Sequence, residues 1–235
     1  MRLSGRTAVV TGGARGIGAA VVRQLRDLGA RVAVLDLEQT EGADHSVRCD
    51  VSQGSEVRDA FREVERSLGP VSVLINNAGI APAGSFENLT EDDWVSTVAV
   101  NLTSVFLCTQ VALPQLRACG GGSVTNVASI AGRHRSFTAS AAYAAAKGGV
   151  IALTRQLAYE FAPDGIRVNC VCPGLVNTDI IRRNVSESGV PALVAAIPLG
   201  RLADAHEIAD SICFLASQAS SYTTGAIFDV NGGMF

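Results

Sequence analysis

The sequence predicts an α/β protein built on a single, doubly wound parallel sheet. Short runs rich in β-branched residues recur along the chain. Stretches with apolar residues at helical spacing alternate with them. The runs themselves are apolar almost without interruption, as strands buried on both faces must be. Parallel neighbours need crossover connections of one hand, which puts helices on both sides of the sheet. With 235 residues, no internal repeat and no linker, residues 1–235 read as one domain with a full core.

The elements follow in order. Thr7–Thr11 reads as the first strand, and Gly16 to Leu28 as a helix stopped by Gly29. Arg31–Asp36 is the second strand and Ser46–Cys49 a short third. A helix over about Ser55 to Leu68 is closed by Gly69-Pro70. Val71–Ile75 and Ser123–Val127 are strands four and five, with one long helix over about Glu91 to Ala118 between them. Ala141 to Phe161 is helical, Val168–Val171 is strand six, and a helix near Ala205 to Ala216 leads to a last strand, Ala226 to Val230. Only 13 residues separate Asp36 from Asp50. A parallel crossover with its helix takes about 10–12 residues or more, so the helix between strands two and three is expected to be largely missing. The loop there should be mostly irregular.

Composition excludes several classes. The balance of 19 basic to 22 acidic residues gives −3, so no basic field suggests a nucleic-acid partner. No apolar run reaches the ~18 residues that span a bilayer, and no membrane partner is expected. The first strand begins almost at the N-terminus, leaving no room for a signal peptide, so a cytoplasmic protein is expected. The six cysteines are scattered and should be reduced thiols. Cys170 and Cys172 face the same side of strand six, but no zinc-like set accompanies them. They read as small buried residues, and no metal is expected.

Chemistry concentrates at two places. Gly12, Gly16 and Gly18 lie in Thr11–Gly18, between a strand and a helix. There a glycine loop can turn tightly and bring backbone up to a pyrophosphate at a helix N-terminus. Asp36 closes strand two, where a carboxylate accepts both ribose hydroxyls and repels a 2′-phosphate, favouring NAD(H) over NADP(H). Arg15 pulls the other way, as a cation that could help hold a 2′-phosphate. Asp36 carries more weight, because two anions in contact are costly without a neutralising cation. Leu37 and Glu38, the next residues, are not basic. The second place is Tyr143 and Lys147, four apart among alanines that favour helix. They share one helix face, so phenol and ammonium can enter one cleft. The cation lowers a phenol pKa that is ordinarily ~10 and makes a tunable acid/base.

These pieces, with Asn76-Asn-Ala-Gly79 after strand four, Ser129 ahead of Tyr143, and Pro173-Gly174 after strand six, resemble the short-chain dehydrogenase/reductase family from about residue 5 onward. The resemblance implies a Rossmann-type sheet in the order 3-2-1-4-5-6-7. It implies Tyr143 as acid/base, and Lys147 as the group that lowers its pKa and holds the nicotinamide ribose. Ser129 would bind the reacting oxygen, and Asn101 would position a water that connects Lys147 to solvent. On the cofactor it implies Ile17 under the pyrophosphate and Asp50 and Val51 about the adenine. Asn77, Ala78 and Gly79 would sit by the ribose, and Pro173, Gly174, Val176 and Thr178 at the nicotinamide end. A homotetramer is implied too, with the helices at 91–118 and 141–161 forming one interface and the C-terminal helix and strand another.

The expected activity is NAD(H)-dependent interconversion of a ketone and a secondary alcohol, with a small carbonyl or alcohol as substrate. The lid after Thr178 and the ending Asp229–Phe235 look most like the 3-oxoacyl-(acyl carrier protein) reductase branch. Dihydrodiol dehydrogenases share the short second crossover, and a non-catalytic, nucleotide-sensing interaction module is the alternative from another class. Arg133, His134 and Arg135, just past Ser129, either attract an anionic substrate or form a solvated loop, the latter favoured.

Overall fold

The computed structural model describes residues 1–234; Phe235, the last residue of the ending named above, lies outside the described residues. Strands are β1 (Thr7–Thr11), β2 (Arg31–Asp36), β3 (His45–Arg48), β4 (Val71–Asn76), β5 (Gly122–Val127), β6 (Ile166–Pro173) and β7 (Ile227–Val230). Helices are α1 (Gly16–Asp27), α2 (Gly54–Leu68), α3 (Glu91–Val98), α4 (Ser104–Ala118), α5 (Ile130–Arg133), α6 (Ala141–Phe161), α7 (Asp179–Asn184), α8 (Val190–Ala195) and α9 (Ala205–Ala216). The strands form one seven-stranded sheet in the order β3-β2-β1-β4-β5-β6-β7, and every ladder is parallel.

Alternation along each strand feeds two apolar layers. Val10 and Ile75 pack with Val21 and Leu25 of α1 and Ile208 and Ile212 of α9. Their neighbours Val9 and Leu74 turn to the other face, against Phe61 of α2, Leu116 of α4 and Phe161 of α6. Cys170 and Cys172 share a side, buried against Val150 and Ile151 of α6. All six cysteines are free. Contrary to the expectation that no apolar run is long enough, Glu91–Ala118 has an 18-residue window of mean hydropathy 1.5, enough by length and composition to cross a bilayer. Its Cys108, Ala112 and Leu116 pack in the apolar layer against the sheet.

Several boundaries move, each for a local reason. The connection from β2 to β3 is irregular, as expected, and Asp44 steadies it by accepting from the Val32 amide at 2.8 Å. That contact starts the β2 ladder at His45, one residue early. β6 extends to Ile166 and Pro173 because it pairs on both edges. The single helix expected over 91–118 is broken by a π-turn at Ala99–Thr103. There the Asn101 side chain donates to the Thr97 carbonyl at 2.9 Å, the group its own amide would take in an α-helix. α5, α7 and α8 span four to six residues, too short for periodicity to announce them.

Candidate active site

The strand order reverses direction at β1, and the loops leaving the C-terminal ends of β1, β4, β5 and β6 enclose a cleft of about 560 Å³. This is where open α/β sheets place ligands. Every site residue named from the sequence lines it: Gly12, Arg15, Gly16, Ile17, Gly18, Asp36, Asp50, Val51, Asn77, Ala78, Gly79, Asn101, Ser129, Tyr143, Lys147, Pro173, Gly174, Val176 and Thr178.

At one end the wall is mostly backbone. Gly12 has φ +65°, and a Cβ there would stand 2.7 Å from the Ala78 Cα. A Cβ on Gly18 would lie 2.0 Å from the Gly12 carbonyl oxygen. The Asn77 side chain donates to the Thr11 and Gly12 carbonyls at 3.1 and 2.8 Å, joining the β4 and β1 loops. α1 begins without a side-chain cap and without an acidic residue in its first turn, so its positive end faces the loop unneutralised. Asp36 accepts from the Ala14 amide at 3.0 Å and the Glu38 amide at 3.1 Å. Two of about four lone-pair sites on its carboxylate are thereby used and the rest stay open. Arg15 pairs with Glu38 at 3.1 Å. Asp50 accepts from the Ser52 amide and hydroxyl. These groups suit a dinucleotide: a cradle that no Cβ could share, a bare helix N-terminus, and a carboxylate at the end of β2.

At the other end side chains converge. Ser129 lies just past the end of β5 and caps α5, its Oγ accepting from the Ala131 amide at 3.1 Å. The cap leaves the hydroxyl proton for another acceptor. Burial pushes the Tyr143 phenol above its ordinary pKa, while a hydrogen bond with Ser129 works against it. Lys147, 4% exposed, donates to the Val127 carbonyl at 2.8 Å. Its Nζ stands 5.7 Å from the centre of the Tyr143 ring. Burial pulls its pKa down to about 8, with the Cys170 and Cys172 thiols acting the other way. In the protein alone, desolvation acts on both groups, holding the phenol protonated and weakening the ammonium. Asn101 donates to the Ile80 and Thr97 carbonyls at 2.9 Å, leaving its buried Oδ1 without a protein partner. A Cβ on Gly79 would lie 2.7 Å from that oxygen and 3.5 Å from the Lys147 Nζ, so both atoms border one point.

Sequence reading missed two features. A buried polar ladder runs beneath the site, from Thr109 through Asn76 and Asn126 to Thr154, at 3.1, 2.8 and 2.9 Å. Asparagines on consecutive parallel strands, in register, were the available signal. Ile80, Pro82 and Phe137 also line the cleft and went unread, while Ile180, Arg183 and Asn184 fall in the segment after Thr178 that the resemblance made a lid. The Arg133–Arg135 loop is not part of the lining. Arg133 pairs with Asp229 at 2.9 Å, and the Arg135 guanidinium lies 4.7 Å over the Phe137 ring.

Comparisons with known proteins agree with this geometry. The family model described as Enoyl-(Acyl carrier protein) reductase matches residues 12–235. The uncharacterized short-chain type dehydrogenase/reductase y4mP of Sinorhizobium fredii is 42% identical, covering 100% of this chain and 99% of that protein. The cis-4-hydroxycyclohexanecarboxylate dehydrogenase of Sinomonas cyclohexanicum is 40% identical over 97% and 96%. The crystal structure of gox2181 superposes with a TM-score of 0.94 at 35% identity, covering 99% of this chain and 96% of that one. Fold, cleft and relatives agree: this chain is an oxidoreductase and belongs to the short-chain dehydrogenase/reductase family.

Proposed function

We propose that the chain interconverts a ketone and a secondary alcohol using NAD(H), with Tyr143 as the acid/base. The observation that carries this reading is the meeting of Ser129, Tyr143, Lys147 and Asn101 in the cleft that also holds the glycine cradle. The Gly12–Gly18 loop and the α1 N-terminus would hold the pyrophosphate, with Ile17 beneath. Asp36 would take the adenosine ribose, with Asp50 and Val51 at the adenine and Asn77, Ala78 and Gly79 alongside. Lys147 would hold the second ribose, and Pro173, Gly174, Val176 and Thr178 the nicotinamide. That ring, when bound, supplies or accepts a hydride at C4.

The residues do the rest. In ketone reduction the Ser129 and Tyr143 hydroxyls donate to the carbonyl oxygen and polarise it. As that oxygen gains charge, the Tyr143 proton passes to it. Burial suits this direction, because it keeps the phenol protonated beforehand. The Lys147 charge stabilises the phenolate left behind, and Asn101 lies beside its ammonium at the start of a proton path. The same reading takes a small carbonyl or alcohol as substrate, a cytoplasmic location, no nucleic-acid or membrane partner, and a homotetramer. Exposed Phe106 and Tyr159 on α4 and α6 and Phe228 on β7 support the last of these.

An assay of ketones, keto-thioesters and enoyl-thioesters with NADH and NADPH in parallel tests the reading. We expect ketone-dependent NADH oxidation, with Asp36→Ala weakening NADH use and sparing NADPH. Turnover confined to the enoyl compounds would overturn the reaction, and a native preference for NADPH would overturn the cofactor. Nucleotide binding with no turnover of any compound would favour the sensing module instead.

A further inference from the structure

We propose that the cleft contains a subsite for a carboxylate carried by the substrate, remote from the reacting carbon, and that Arg183 anchors it; the substrate role of that site rests on the ketone–alcohol reading above. The inference comes from accounting for every charge that lines the cleft. Asp36 and Asp50 lie at the nucleotide end and are held by backbone amides and Ser52. Arg15 is paired with Glu38. Lys147 is buried and donates to Val127. Asp179 is paired with Arg182 at 3.1 Å. Among the described residues, that leaves Arg183 as the one charged lining side chain with no ion pair and no hydrogen bond.

Its position is set by the helix that carries it. Asp179, Ile180, Ile181, Arg183 and Asn184 of α7 all border the cleft, and Arg182 does not. Ile181 is buried with Leu175 and Ile197. The Asn184 side chain donates to the Ala81 carbonyl at 2.7 Å and the Thr138 carbonyl at 3.2 Å, binding α7 to two other walls. Arg182 is kept elsewhere by Asp179 and Asn177. Ile80, Pro82, Phe137 and Ile180 give the same cleft an apolar wall. A guanidinium fork over an apolar wall suits a planar carboxylate at the end of a hydrocarbon body, which it meets with two parallel N–H donors.

Calorimetric titration tests this with 4-oxocyclohexanecarboxylate and its methyl ester as probes, on the enzyme with and without NAD. Wild type should bind the acid about tenfold more tightly than the ester, a charge-assisted contact discounted for the exposure of Arg183. Arg183→Gln should erase that ratio and Arg183→Lys restore part of it. Equal binding of acid and ester, no binding of the acid, or an unchanged ratio in Arg183→Gln overturns the subsite. Acetoacetyl-CoA forms the third arm. If only its binding depends on Arg183, the anion is a carrier phosphate and the carboxylate assignment fails. Arg183-dependent acid binding by a protein that turns over no ketone would sink the oxidoreductase mechanism and leave the subsite standing.

Discussion

The two ends of the cleft are made of different material. The nucleotide end is backbone: glycines so close to neighbouring main chain that a Cβ on Gly12 or Gly18 would collide with atoms that cannot move aside. The substrate end is side chain, presented by α5, by the loop before α6, and by the six-residue α7. One end is specified by what cannot be present, the other by what happens to be. Backbone anchored at strand ends has few alternatives and admits one ligand shape. Side chains on a short helix can be exchanged while the sheet beneath stays as it is. On the proposed function, recognition of the nucleotide and recognition of the substrate are thereby separated within a single cavity.

Tyr143 stands at the junction, and its hydroxyl offers the sharpest test of that separation. Tyr143→Phe removes the proton donor and leaves the glycine cradle and Lys147 in place. We expect ketone turnover to fall by about 10³-fold, within the range for loss of an acid/base group, and nucleotide affinity to stay within about twofold. Steady-state kinetics together with nucleotide titration would measure both. A parallel collapse of nucleotide binding would show that the two ends are one cooperative unit.

The same division explains what could be read from the sequence. The glycine cradle was legible because forbidden atoms leave marks: Gly12, Gly16 and Gly18 between a strand and a helix allow few other structures, whereas the sheet order came only from the family resemblance. Tyr143 and Lys147 were legible because an i, i+4 spacing on an alanine-rich helix fixes a shared direction. The π-turn was not, because its local contact, the Asn101 side chain on the Thr97 carbonyl, leaves no mark in the periodicity. The electrostatics of Lys147 were only half legible. Spacing shows that a cation stands near the phenol, but not that burial weakens the cation itself. Arg183 escaped notice because, in sequence, it is one of two adjacent arginines. Only the fold shows that Arg182 is occupied by Asp179 and Arg183 is not.

Lys147 supplies the second test. Its pKa is pulled down to about 8, so the side chain is charged below that pH and neutral above it. The mechanism requires the charged form. The rate of ketone reduction should therefore fall as pH rises through about 8, by about tenfold one pH unit further on. A lysine at its ordinary value would place that decline near ~10. A pH profile of kcat/KM distinguishes the two. A profile flat to about pH 10 would mean that the bound nucleotide restores the ammonium, coupling the ends electrostatically although their walls differ.

The smallest expected effect sharpens the comparison most, because it lies wholly at the nucleotide end. Arg15 could serve a 2′-phosphate, but it is held 3.1 Å from Glu38. Both side chains are more than half exposed, at 55% and 60%, so the pair is screened by water. Exposed pairs contribute about 0–1 kcal/mol, so Glu38→Gln should move the NADPH-to-NADH ratio of kcat/KM by no more than about fivefold toward NADPH. Asp36, with its carboxylate fixed by two backbone amides, would still repel the extra phosphate. Asp36→Ala should then shift the ratio further than Glu38→Gln. The reverse order would mean that the side chain at position 38, and not the end of β2, meets the ribose. The cofactor preference would then reside in an exposed and replaceable side chain, and the contrast between the two ends would fail where it is most exposed to test.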